Sequence, residues 1–157
     1  QDITIPFQMS SVEFFTMVKE HLNENGVMVV NMNMRGNNEG NINQYLSDTI
    51  ASVFDHIVTV DVDGSTNREL YASSNADMVK TLENNANETG HSDLRDMMLH
   101  VADTSSVYEA GDYIMTDDKA PVELLGMQVI DQLIQGEVAY YKDIFEKDGI
   151  NGLLESL

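Results

Sequence analysis

Two adjacent aspartates, Asp117 and Asp118, stand in the stretch MTDDKAPVE at residues 115–123, just ahead of Pro121, one of only two prolines in the chain. Neighbouring carboxylates repel each other unless cations or amides stabilise them. Lining a cleft, such a pair suits an amine, either by pairing with its ammonium or by accepting its proton. The same residues also have a structural use. Either can cap the helix that Pro121 enters, because proline's fixed φ and missing N–H fit a first helical turn. Spacing alone favours the cap, and both uses stay open.

Other chemistry finds less support. His21, His56, His91 and His100 are scattered, without the spacing of a metal motif. DVDGSTNRELYA, from Asp61, fails as a calcium loop because Gly64 directly follows the second aspartate and the twelfth position is Ala72. GNNEG, residues 36–40, is a plain loop between a strand and a helix, and its Glu39 would repel phosphate. The absence of cysteine excludes disulfides, thiolate metal sites and cysteine nucleophiles. No serine sits in a nucleophile elbow.

Charge narrows the partners. Eight basic residues against 27 acidic ones give a formal charge of −19, which repels phosphate backbones and argues against nucleic acid. No apolar run reaches the roughly 20 residues that span a bilayer, and no signal peptide opens the chain, so a cytoplasmic protein without membrane insertion by this stretch is expected. QDITIPF reads as an extended segment in mid-course, so further chain is expected ahead of Gln1.

The elements that must position the aspartates follow from periodicity. Ser10 and Glu13 form a capping box, with Met9 stapled to Phe14, for a helix carrying Val12, Phe15, Val18 and Leu22 on one face and ending at Asn25 and Gly26. The valine-rich run 27–33 reads as an interior strand, having no charge, bulge or proline to protect an edge. A second helix, capped by Asn41, carries Ile42, Tyr45, Leu46, Ile50, Val53 and Phe54 and ends near Asp55. HIVTVDVDGSTNRELYASS is an antiparallel hairpin. Two short helices follow, one with Met78, Val79 and Leu82, the other capped by Ser92 and carrying Leu94, Met97, Met98 and Val101. A last helix runs from about Pro121 to Phe145, with Tyr141 aligned with Ile134, Val138 and Phe145 on its buried side. Met97, Met98 and Met127 read as core filler. The order predicts an α/β layer architecture in a single domain, 1–157, with a helical portion over 104–157.

IPFQMSSVEFFTMVKEHLNENGVMVVNM, followed much later by MTDDKAPVELL, resembles the C-terminal half of spermidine synthase-like proteins, in which an aminopropyltransferase-type domain is often fused to a membrane transporter-like region. Ile5, Pro6, Phe7, Phe14, Phe15 and Gly26 carry the first stretch; Thr116, Asp117, Asp118, Ala120, Pro121, Val122 and Glu123 carry the second. The resemblance implies the C-terminal part of a Rossmann-like methyltransferase sheet, with one parallel strand plus an antiparallel hairpin and helices packed on it. The donor-binding loop and the catalytic residues would then lie ahead of Gln1. It implies a transferase using S-adenosylmethionine or decarboxylated S-adenosylmethionine, with no cofactor bound by, and no activity expected of, this stretch alone. Substrate binding would fall to Asp117 and Asp118 on the amine side, facing a polyamine or other amine, and to Asn31 and Asn33 near the crevice at the carboxyl end of the strand. The expected partners are the missing N-terminal half or a second copy. The competing reading is a non-catalytic interaction domain associating through the edge of strand 27–33.

Overall fold

Helix α1, Val12–His21, begins where the sequence has two serines, and the second of them caps it. Ser11 Oγ accepts from Phe14 N at 3.3 Å, whereas Ser10 Oγ donates back to Phe7 O across a single 3-10 turn at Phe7–Met9. The cap expected at Ser10 lies at Ser11 instead, so no capping box forms and Glu13 is free for another contact. The computed structural model describes residues 6–32, 39–65 and 67–155.

Strand β1, Val27–Met32, pairs with β3, Arg68–Ser73, which in turn pairs with β2, His56–Asp61. A two-residue strand β4, Ser106–Val107, adds to β2, giving the order β1-β3-β2-β4 with every ladder antiparallel. Because β3 lies between β1 and β2 and opposes both, those two run in the same direction. The expected hairpin and its co-directional strand are thus present, joined through the hairpin's second arm. The other edge of β1 has no partner among the described residues, so there the strand stands at a border rather than inside the sheet.

Pleat alternation gives the sheet two different faces. Met32, Leu70, Ala72 and Ile57 meet Phe15 of α1 and Leu46 and Ile50 of α2, Ile42–Ala51. Burial of each of these larger side chains contributes about 1.5–3 kcal/mol, and the Ala72 methyl less. Lys19 ties α1 to the end of α2, donating to Val53 O at 2.7 Å and to Asp55 Oδ2 at 3.0 Å. The opposite face carries Val27, Val29, Val58, Val60 and Tyr71 beneath a helical hairpin, α3 at Met78–Glu88 and α4 at Ser92–Thr104. The hairpin covers it incompletely and leaves an apolar groove of about 350 Å³. Ser92 does not cap α4; His91 is the N-cap residue, without a side-chain bond.

Helix α5 runs far beyond the expected end, over Val122–Glu155. Val122 and Leu125 root it in the core. From there the expected buried side is exposed: Ile134, Val138 and Phe145 are each more than half accessible. Met97 and Met127 are exposed as well, and the core methionines are Met32 and Met115. No helix among the described residues is long and apolar enough to cross a membrane.

Candidate functional site at the carboxyl end of the first strand

Three consecutive polar residues of α2, Ser47, Asp48 and Thr49, are buried, and each has a partner. Ser47 Oγ donates to Met32 Sδ at 3.5 Å, at the end of β1. Thr49 Oγ1 donates to Tyr45 O at 2.6 Å and accepts from Met115 N at 2.9 Å. Asp48 accepts three bonds: from Tyr108 Oη at 2.6 Å and Gly111 N at 2.9 Å on Oδ1, and from Tyr113 N at 3.1 Å on Oδ2. A carboxylate at the middle of a helix thereby ties down the passage from Tyr108 to Tyr113, and Thr49 next to it holds Met115. Gly111 fits this arrangement because a Cβ there would lie 2.6 Å from Asp48 Oδ2. Burial, reinforced by the bond to Asp48, pushes the Tyr108 phenol well above its ordinary range.

The tied passage delivers Tyr113 to the N-terminus of α2, where Asn41 caps the helix as expected by accepting from Gln44 N at 3.0 Å. The Tyr113 ring lies 4.8 Å from that of Tyr45, and its Oη donates to Glu39 Oε1 at 3.2 Å. Partial desolvation, then the Glu39 carboxylate, raises the Tyr113 phenol. Gly40, at φ +73°, makes the turn beneath that ring.

Beyond Met115 the chain docks on α1. Met115 O accepts from Val12 N at 2.9 Å, satisfying an amide in the first turn of the helix. Thr116 and Lys119 then close a tight turn, Thr116 N donating to Lys119 O at 3.2 Å and Lys119 N to Thr116 O at 2.9 Å, with Asp117 and Asp118 at its tip. Asp117 Oδ1 accepts from Ser11 Oγ at 2.5 Å, and Asp117 N donates to Glu13 Oε2 at 3.0 Å. Both carboxylates sit at the amino end of α1, which favours negative charge. The cap expected on the last helix is therefore a brace on the first: α5 opens with Pro121 O accepting from Leu125 N at 3.0 Å. Asp118 is exposed and has no partner among the described residues.

Glu39, Tyr45 and Tyr113 lie together at the amino end of α2, while Asp117 and Asp118 lie on the turn that docks on the amino end of α1. Asn31 lies near the carboxyl end of β1 but is exposed on the face of Val27 and Val29, away from α2. Asn33 lies outside the described residues. Two tyrosine rings with carboxylates beside them can hold an organic cation, the rings through their negative faces and the carboxylates through ion pairing. Sequence reasoning missed Glu39, Tyr45, Asp48, Tyr108 and Tyr113 as site residues. The run Ser47-Asp48-Thr49 between Leu46 and Ile50 was the available signal, since a solvent-facing reading leaves Asp48 no purpose.

No protein-family model matches the chain. A curated protein of Bifidobacterium longum (strain NCC 2705), described as "Probable polyamine aminopropyl transferase", is 49% identical over 174 aligned positions, which take in the whole of this chain and 39% of that protein. The mixed α/β layers with an open sheet agree with a portion of a methyltransferase-like fold. The chain thus matches a part of a spermidine synthase-like protein, spanning about two fifths of that relative's length.

Proposed function

We propose that the protein containing this stretch transfers an aminopropyl group from decarboxylated S-adenosylmethionine to a polyamine, and that the stretch forms the amine-side wall of the cleft. The observation that carries this reading is the 49% identity, over the whole chain, to a probable polyamine aminopropyl transferase. In the reaction the acceptor nitrogen attacks the propyl carbon next to the sulfonium. The C–N bond forms, the C–S bond breaks with its electron pair returning to sulfur, and the nitrogen releases a proton. A polyamine reaches such a site as a multiple cation, so it needs carboxylates for the ammonium groups that do not react. Glu39 and Asp118 supply them here, Tyr45 and Tyr113 flank the chain, and Asp117 holds the turn. The donor-binding residues and the proton acceptor lie in the remainder of the protein, so the stretch alone is inactive, and a cytoplasmic location follows from the substrates.

The test is product mass after incubating the protein at its full natural length with decarboxylated S-adenosylmethionine and putrescine or spermidine. The expected product carries one added aminopropyl group, and Glu39→Gln and Asp118→Asn raise KM for the amine more than they lower kcat. Consumption of ordinary S-adenosylmethionine instead would make the protein a methyltransferase. Binding of neither donor would overturn the catalytic reading in favour of an interaction domain, for which the exposed Val27 and Val29 on bordering β1 are the supporting observation.

A further inference from the structure

Tyr113 is gripped at two points by one face of α2. Tyr45 and Asp48 lie three positions apart, the spacing of neighbours on a helix surface. Tyr45 meets the Tyr113 ring, and Asp48 Oδ2 accepts from the Tyr113 amide. Asp48 is fully buried and bonds two amides and a phenol, with no cation beside it among the described residues. A buried carboxylate is a costly means of fixing a loop. The ends of the passage are fastened without it, since Tyr108 N donates to Ile57 O at 3.0 Å and Met115 N to Thr49 Oγ1 at 2.9 Å. Between those two fastenings, Asp48 decides where Tyr113 stands.

We infer that Asp48 is a positioning residue for amine binding, keeping the Tyr113 ring against Tyr45 and its phenol on Glu39 before an amine arrives. This role presupposes the amine site of Glu39, Tyr45 and Tyr113. Asp48 does not touch the amine; it acts through Tyr113. The ring centroids are already 4.8 Å apart and the Tyr113 phenol already holds Glu39, so an incoming cation meets an assembled surface and spends less of its binding energy on ordering it.

Two substitutions reach the bond from opposite sides. Asp48→Asn leaves Tyr108 Oη and Gly111 N an acceptor and Met115 its place on Thr49, while Tyr113 N loses its own acceptor. Gly111→Ala leaves Asp48 in place but sets a Cβ 2.6 Å from Oδ2, the oxygen that Tyr113 N uses, and so pushes that oxygen aside. If the assembled arrangement falls to about a tenth of the population, amine affinity falls by the same factor. Turnover of the bound amine is unaffected, so KM rises and kcat changes little.

The test uses the protein at its full natural length carrying 3-fluorotyrosine, with the Tyr45 and Tyr113 fluorine resonances assigned from Tyr45→Phe and Tyr113→Phe. Asp48→Asn, and the milder Gly111→Ala should the first fail to fold, should move both resonances toward that of free 3-fluorotyrosine. Each should weaken putrescine about tenfold, read from titration of the Tyr113 resonance and from KM. Ile50→Val, which trims a fully buried side chain on the same helix, should loosen the core yet leave resonances and affinity unchanged. Resonances that stay put in both variants overturn the positioning role, whatever the protein catalyses. Resonances that move while putrescine affinity holds also overturn it, since the ring is then placed for something other than the amine. Putrescine that leaves the wild-type Tyr113 resonance unperturbed refutes the amine site itself, and the role with it.

Discussion

Replacing Asp48 by asparagine removes one charge and almost no volume, so it isolates the carboxylate that ties residues 108–113 to α2. The amide oxygen can still accept from Tyr108 Oη and Gly111 N, which share one oxygen in the native arrangement. The new NH2 then faces Tyr113 N, donor against donor. A hydrogen bond to a charged group is worth about 1.5–3 kcal/mol, and one such bond is lost outright. The two that remain become neutral and drop to about half their strength. The expected loss is about 3–4 kcal/mol, a large share of the 5–15 kcal/mol that holds a typical domain together. Asp48→Ala orphans all three donors and is the harsher change, so the asparagine is the informative one.

Urea unfolding followed by far-UV circular dichroism measures the loss, and absorbance at high pH gives a second readout from the same bond. Tyr108 is held neutral by burial and by the Asp48 carboxylate. Above the ordinary tyrosine value of about 10 the unfolded chain releases this proton while the native one keeps it. The Tyr108 contribution to stability is therefore complete below about pH 10 and is lost as the pH rises further. In Asp48→Asn the last tyrosine to ionise should do so at lower pH, and the alkaline decline should soften. A stability change under about 1 kcal/mol, or an unchanged tyrosine titration, would refute the assignment of Asp48 as the anchor.

Gly111→Ala should destabilise by about 1–3 kcal/mol, because its Cβ would meet Asp48 Oδ2 at 2.6 Å and a buried side chain cannot withdraw. Ser11→Ala should cost about 1 kcal/mol as a lost N-cap. Asp117→Ala should cost about as much, and the double variant should cost less than the sum, since both remove the same Ser11–Asp117 bond; additive losses in a urea double-mutant cycle would count against that link. Tyr113→Phe should change stability by no more than about 0.5 kcal/mol, because its bond to Glu39 is exposed, yet raise KM for the amine in the complete enzyme.

What the sequence made legible was local. Asn41 as a cap, the turn between β2 and β3, and the apolar faces of α1 and α2 each depend on residues within a few positions of one another. What it hid was long-range. The bond from Ser11 to Asp117 spans 106 positions and the one from Tyr108 to Asp48 spans 60, and neither leaves a periodic trace. Strand β4, at two residues, is too short for alternation to register. The stripe on α5 was readable as a stripe, but periodicity reports that one side differs from the other without saying what covers it. Ile134, Val138 and Phe145 do fall on one side, but that side is exposed rather than buried.

The two aspartates of MTDDKAPVE divide their work because a tight turn points neighbouring side chains in different directions. Asp117, exposed like its neighbour, reaches across to Ser11, where the positive end of α1 offsets its charge. The structural use of the pair leaves room for the chemical one: the first acid anchors the turn on α1, and the second is left exposed beside it without a partner among the described residues.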